Sequence, residues 1–188
     1  MPPSPDHVRR TAEAYLDRHP RERDGLAPLF ATLAGAGDPT HRNTFPAHVT
    51  CSAIVVNENN KVLHIQHNQT GKALAPGGHN EQSDPDLASA ALRELAEETG
   101  LPPEAVSPIP GFEAVPLDID VHDIEANPAM GEPAHQHIDF RFPFHLITEH
   151  PVALQAEEVS GYEWRTFNTV ASPTVRAKLA LLPRTTHP

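Results

Sequence analysis

Glu94, Glu97 and Glu98 stand at i, i+3 and i+4, the spacing that places three carboxylates on one face of an α-helix. At about 6 Å such charges repel by roughly 0.7 kcal/mol per pair in water, and by roughly 3 kcal/mol at an effective dielectric near 20. A compensating positive charge is therefore expected beside them. Arg93 can orient one carboxylate from the side. Oxygen donors at this density suit a hard divalent cation, Mg²⁺ or Mn²⁺, better than zinc or copper. The plainer alternative is a solvated acidic helix face.

The helix that must carry these groups has start and stop signals. Ser83 or Asp84 followed by Pro85 predicts its start, because a short polar side chain caps free amides and proline is harmless in the first turn. Gly100 predicts its end, since glycine adopts the left-handed conformation at little steric cost. Ala88, Ala91, Leu92 and Leu95 form the adjoining apolar stripe, which predicts burial against a sheet. Ahead of the helix, Pro76-Gly77-Gly78 is a corner whose backbone can approach a ligand closely.

Arg93 to Leu101 reads RELAEETGL, and with its PGG lead-in the stretch resembles the box of the Nudix hydrolases, G-x5-E-x7-R-E-U-x-E-E-x-G-U with U apolar. The second half matches at every specified position. In the first half Asp84 stands where the pattern has Glu, and eight residues instead of seven separate it from Arg93. The resemblance implies an α/β fold, a Nudix-type α/β/α sandwich with a mixed β-sheet, here with a short helical N-terminal extension. It implies a metal-dependent pyrophosphohydrolase that cleaves a diphosphate linkage in a small nucleoside-diphosphate-type substrate. Mg²⁺ or Mn²⁺ held by Glu94, Glu97 and Glu98, with the carbonyl of Gly77 as fourth ligand, would activate water, and Arg93 belongs to the same catalytic set. Such proteins often take a general base or an extra ligand from outside the box. Glu158, and after it Glu157, are the candidates here, with a plain surface role as the alternative for each.

Two other functions share that fold. A sensor that binds a nucleotide or sugar phosphate without cleaving it is kept open by the altered first half, although it has no chemical need of three intact glutamates. An isoprenoid diphosphate isomerase would need a catalytic cysteine in a suitable loop, and Cys51 lies inside a strand-forming stretch instead.

Composition narrows the partners. With 188 residues the chain is long enough for one ordinary core, and a net charge of -11 argues against long nucleic acid, which needs a basic footprint. A single cysteine rules out an internal disulfide framework and fits a reducing cytoplasm. No apolar run approaches membrane-spanning length and MPPSPDHVRR lacks a secretion signal, so a soluble cytoplasmic protein with a small-molecule diphosphate substrate and no membrane partner is expected.

Along the chain, helices are predicted over 6–19 and 24–34, giving an extension over 1–44 ahead of a Nudix domain over 45–188. Packing cover is the plain role for that extension; a homodimer contact or a substrate lid is the alternative. HVTCSAIVVN and KVLHIQH predict a hairpin, residues 157–165 a closing strand with Trp164 buried, and residues 172–182 a last helix. Extended segments are expected over 112–123 and 135–148. In the second, His135, His137, Asp139 and Arg141 alternate with Ile138, Phe140, Phe142 and Phe144. The first set is too polar to bury without partners, so it is expected in an active-site cleft, with His122 from the preceding segment nearby. Its roles would be phosphate or base contacts, with Arg141 as a phosphate clamp or else an ion-pair partner of Asp139, and with metal ligation by His135 or His137 as an alternative. This segment, with ANPAMGEPAH before it, resembles one bacterial branch of Nudix proteins whose boxes carry PGGH.

Overall fold

A computed structural model describes residues 2–68, 70–129 and 131–183. Ser4 caps α1 (Pro5–Arg18) by accepting a hydrogen bond from the His7 amide, and proline takes the first helical position. A short 3₁₀ stretch leads into α2 (Ala27–Ala34), which stops at Gly35. The β-branched run then forms β1 (Ala47–Val56), followed by β2 (Lys61–His67), β3 (Lys72–Leu74) and β4 (Gly77–His79). The carboxylate-bearing helix is α3 (Leu87–Thr99), and Gly100 closes it in the left-handed conformation at φ 68°. Its cap is Asp86, whose side chain accepts from the Ser89 amide, and not Ser83 or Asp84. The start falls later than expected because the Asp84 carboxylate is turned to Arg93 instead.

Beyond α3 come β5 (Val106–Pro108), β6 (Asp118–Ile124), β7 (His135–Leu146), β8 (Val159–Thr166) and α4 (Pro173–Leu179), the last capped by Ser172. The strands form one mixed sheet with the path β3-β2-β1-β7-β5, to which β4 adds on β1, β6 on β7 and β8 on β2. At its centre β1 and β7 run parallel from Ala47↔Gln136 to Val56↔His145. Parallel neighbours need a long crossover, and here that crossover carries α3.

Side chains alternate across the sheet. Val49, Cys51, Ala53 and Val55 of β1 and Phe140, Phe142 and Phe144 of β7 share one core with Leu87, Ala90, Ala91 and Leu95 of α3 and with residues of α1 and α2. On the other alternation Ile54 and Val56 meet Val175 and Leu179 of α4. Cys51 is fully buried in the first core, and burial pushes its thiol well above the ordinary value, as befits a packing residue. Trp164 is half-buried, against the expectation of burial, because β8 pairs with β2 outside the centre of the sheet. Among the described residues no helix is long and apolar enough to cross a membrane.

One buried cation joins α1, β6 and α4. Lys178 Nζ donates to Asp118 Oδ1 at 2.6 Å and Glu22 Oε2 at 2.9 Å, and to the hydroxyl of Tyr15, which in turn donates to Glu22. Burial opposes ionisation of Glu22, but the hydrogen bonds from Tyr15 and Lys178 win and lower its pKa. A carboxyl with a lowered folded pKa stabilises above its unfolded pKa of about 4.5, and that contribution fades as acid protonates it. Lys178→Met leaves Asp118 and Glu22 without this partner, so we expect a loss of about 3 kcal/mol in a denaturant titration at pH 7. The deficit relative to the wild type should shrink as the pH falls below about 4.5.

Candidate active site

Gly77 and Gly78 of β4 pair with Ser52 and Cys51 of β1. A methyl group on Gly78 would lie 2.6 Å from Glu94 Oε1, so the missing side chain is what lets the α3 carboxylate rest on the strand. The Gly77 amide donates to Glu98 Oε2 at 2.9 Å. Glu98 is buried, Glu94 half-buried and Glu97 exposed.

Arg93 organises this face. Its Nη1 donates to Glu94 Oε1 and to Glu97 Oε2, both at 3.0 Å. Its Nε and Nη2 donate to the two oxygens of Asp84 at 3.1 and 3.2 Å, and Nη2 also to the His79 carbonyl at 2.7 Å. The planar fork is thus held by a buried carboxylate on one side while it aims two glutamates on the other. Asp84, the shortened counterpart of the first acidic position in the box pattern, anchors the arginine.

The charge balance remains negative. Burial pushes the Glu94 carboxyl up to about 7 against the pull of Arg93, with Glu97 and Glu158 adding to the push. Burial likewise pushes Glu98 up to about 8 against the Gly77 amide, with Glu94, Glu158 and Glu97 adding. Glu158, just ahead of β8, therefore lies close enough to be felt by both buried carboxyls. The donors are oxygens, and two are carboxyls short of counter-charge, a set suited to a hard divalent cation.

The other residues singled out in the sequence lie on the opposite alternation of the sheet. Strand pairing sets His122 of β6 and His48 of β1 beside His137, and Asp118 beside Arg141. Arg141 Nε donates to Asp139 Oδ2 at 2.9 Å, Nη1 to Asp118 at 3.2 Å and Nη2 to Asp120 at 2.9 Å. Three of its five N–H donors are thus directed to carboxylates, among them the ion pair with Asp139 that the sequence offered as the alternative to a phosphate clamp. Asp139 also accepts from Ser52 Oγ at 2.8 Å, and His122 Nδ1 is 2.9 Å from Asp120 Oδ2. On the polar side of β7, which the sequence placed in an active-site cleft, His135 and Asp139 are buried and His137 and Arg141 half-buried, all with polar partners. His135, His137 and His122 gather with His48 and His79, two residues the sequence reading passed over. Their signal was the shared parity of His48, Thr50 and Ser52, and the last letter of PGGH.

Sheet, flanking helices and the arginine-organised carboxylates define an α/β/α sandwich protein with an acidic helix packed on a two-glycine strand. The chain belongs to the NUDIX domain family, whose pattern matches residues 46–184. A probable DHNTP pyrophosphohydrolase of Lactococcus lactis subsp. cremoris is 34% identical over 98 residues, which are 52% of this chain and 54% of that protein. The match thus spans about half the length of that relative. Among solved structures, a NUDIX family hydrolase from Clostridium perfringens superposes with TM-score 0.53 at 22% identity, covering 71% of this chain and 97% of the other. The E. coli dihydroneopterin triphosphate pyrophosphohydrolase gives TM-score 0.50 at 16% identity, covering 70% and 91%.

Removing the anchor should be felt locally. Asp84→Ala strips Arg93 of two charge-assisted hydrogen bonds, so a stability loss of about 2 kcal/mol is expected from chemical denaturation. An unchanged midpoint would mean that the arginine is held by its other partners alone.

Proposed function

We propose that this protein hydrolyses a diphosphate linkage in a small nucleoside-diphosphate-type substrate, with dihydroneopterin triphosphate among the compounds to try first. The observation that carries the reading is the set of carboxylates on one face of α3, with Glu94 and Glu97 held by Arg93 and Glu98 by the Gly77 amide, against a strand where Gly78 leaves room for Glu94. The named pyrophosphohydrolase relative supports the same reaction class.

Glu94, Glu97 and Glu98, with the Gly77 carbonyl, are the residues we assign to hold Mg²⁺ or Mn²⁺. When bound, such an ion would neutralise charge on the phosphates and favour ionisation of water. The chain's own groups do the positioning. Arg93 holds two glutamates in a fixed relation, and the Gly77 amide turns Glu98 towards β4. Glu158, ahead of β8 and within the field of both Glu94 and Glu98, is our candidate to accept the proton as water adds to phosphorus and the bridging P–O bond breaks. Residues 1–44 precede the matched segment, and we read α1 and α2 as an extension that covers the core of that domain.

Because phosphoryl transfer rests on positioning and electrostatics, Glu97→Gln or Glu98→Gln should lower turnover by at least about a hundredfold. The measurement is phosphate, pyrophosphate and monophosphate release over nucleoside triphosphates, dinucleoside polyphosphates, nucleotide sugars and dihydroneopterin triphosphate, with Mg²⁺, Mn²⁺ or EDTA. Cleavage that needs the metal and vanishes in the variants is the expected result. No cleavage anywhere, together with metal-dependent thermal stabilisation by one of these compounds, would replace the hydrolase with a sensor.

A further inference from the structure

On the face opposite α3, buried His48 and His135 and half-buried His79 and His137 have no part in the proposed hydrolysis. His48 of β1 sits beside His137 of β7, His135 precedes it by two on the same side, and His79 of β4 is paired with Thr50, on the same alternation as His48. Their rings pack with centroids 4.7 Å apart for His48 and His137, 4.9 Å for His48 and His135, and 5.1 Å for His79 and His137. Candidate donor atoms of His48, His135 and His137 all lie within 4.8 Å of one another.

The hydrogen bonds fix which nitrogen each ring offers. His48 Nδ1 is 3.2 Å from the Thr44 carbonyl and His135 Nδ1 is 2.7 Å from the Pro133 carbonyl. A carbonyl only accepts, so both Nδ1 atoms carry the proton and the neutral rings turn unprotonated Nε2 atoms inward. Backbone carbonyls hold the outer nitrogen of metal-binding histidines in the same way. Inward, His48 Nε2 lies 3.2 Å from His79 Nε2 and His135 Nε2 lies 3.3 Å from His137 Nε2. Nitrogens at 2.0–2.1 Å from a tetrahedral Zn²⁺ are separated by about 3.3 Å.

We propose that His48, His79, His135 and His137 form a binding site for a divalent transition-metal ion of the Zn²⁺ class. An all-imidazole set selects such an ion over Mg²⁺, which prefers oxygen. Burial, reinforced by the neighbouring rings, holds His48 and His79 down to about 4 and His137 down to about 2, so three of the four are ready as neutral ligands at pH 7. The ion would fasten β4 to β1 and β7, one residue beyond Gly78 and on the other side of the sheet from the carboxylates. The competing account is a cluster of N–H···N hydrogen bonds with no ion.

Cobalt distinguishes the two. Chelator-treated protein is titrated with Co²⁺ under excess Mg²⁺, and Zn²⁺ affinity is measured by competition with a chromophoric chelator. We expect one equivalent of Co²⁺ to give the intense visible bands of a four-coordinate nitrogen site. Zn²⁺ should abolish them, Glu98→Gln should leave them unchanged, and His48→Gln or His137→Gln should weaken Zn²⁺ binding at least about a hundredfold. A weak six-coordinate spectrum displaced by Mg²⁺, or full bands in both histidine variants, would overturn the site. The wild-type spectrum decides even if the variants do not fold, and it is independent of whether any diphosphate is cleaved.

Discussion

The ten-residue parallel register between β1 and β7 is the constraint on which the remaining elements depend. It sets Cys51 beside Phe140 and Ala53 beside Phe142 on one face, and His48 beside His137 and Ser52 beside Arg141 on the other. One face thereby becomes an apolar bed for α3, while the other collects groups that must satisfy each other. A shift by one residue would exchange the two, burying unpaired charge under the helix. The crossover that parallel pairing demands is where the acidic helix resides, so topology and site have a common origin.

Charge is distributed over the sheet in two different ways. Asp118, Asp120 and Asp139 are each paired with the Arg141 guanidinium, and Lys178 links Asp118 to Glu22. Around Arg93 one guanidinium faces Asp84, Glu94 and Glu97, with Glu98 left to a backbone amide. In the first arrangement every carboxylate has a cationic partner. In the second, Glu98 has no cationic partner, and burial makes the Glu94 and Glu98 carboxyls reluctant to ionise.

Local chemistry made much of this legible. The spacing of Glu94, Glu97 and Glu98 and the apolar stripe of α3 follow from a 3.6-residue period, and the stop at Gly100 from glycine's left-handed conformation, neither of which needs knowledge of the rest of the chain. The alternation in β7 likewise assigned each residue to its side. It did not say what would cover the polar side, because the partners of Arg141 come from β6 and those of His137 from β1 and β4. Pairing between distant strands leaves little trace in a single sequence. The cap of α3 was misplaced for a related reason: Asp84 and Asp86 are equally good caps in isolation, and only the arginine decides between them.

Gly77, Gly78 and His79 are three consecutive residues that serve both faces of the sheet. Extra length in the loop that follows costs little, as the added residue before α3 illustrates, since Asp84 still reaches Arg93. Within β4 there is no such latitude. A single insertion or deletion there would bring a side chain against Glu94 and withdraw an imidazole from the opposite cluster in the same step. The tolerance of this chain to changes in length therefore falls from permissive to nil within a few residues, and homologous chains aligned here should show gaps after His79 and none across the three positions ending at it.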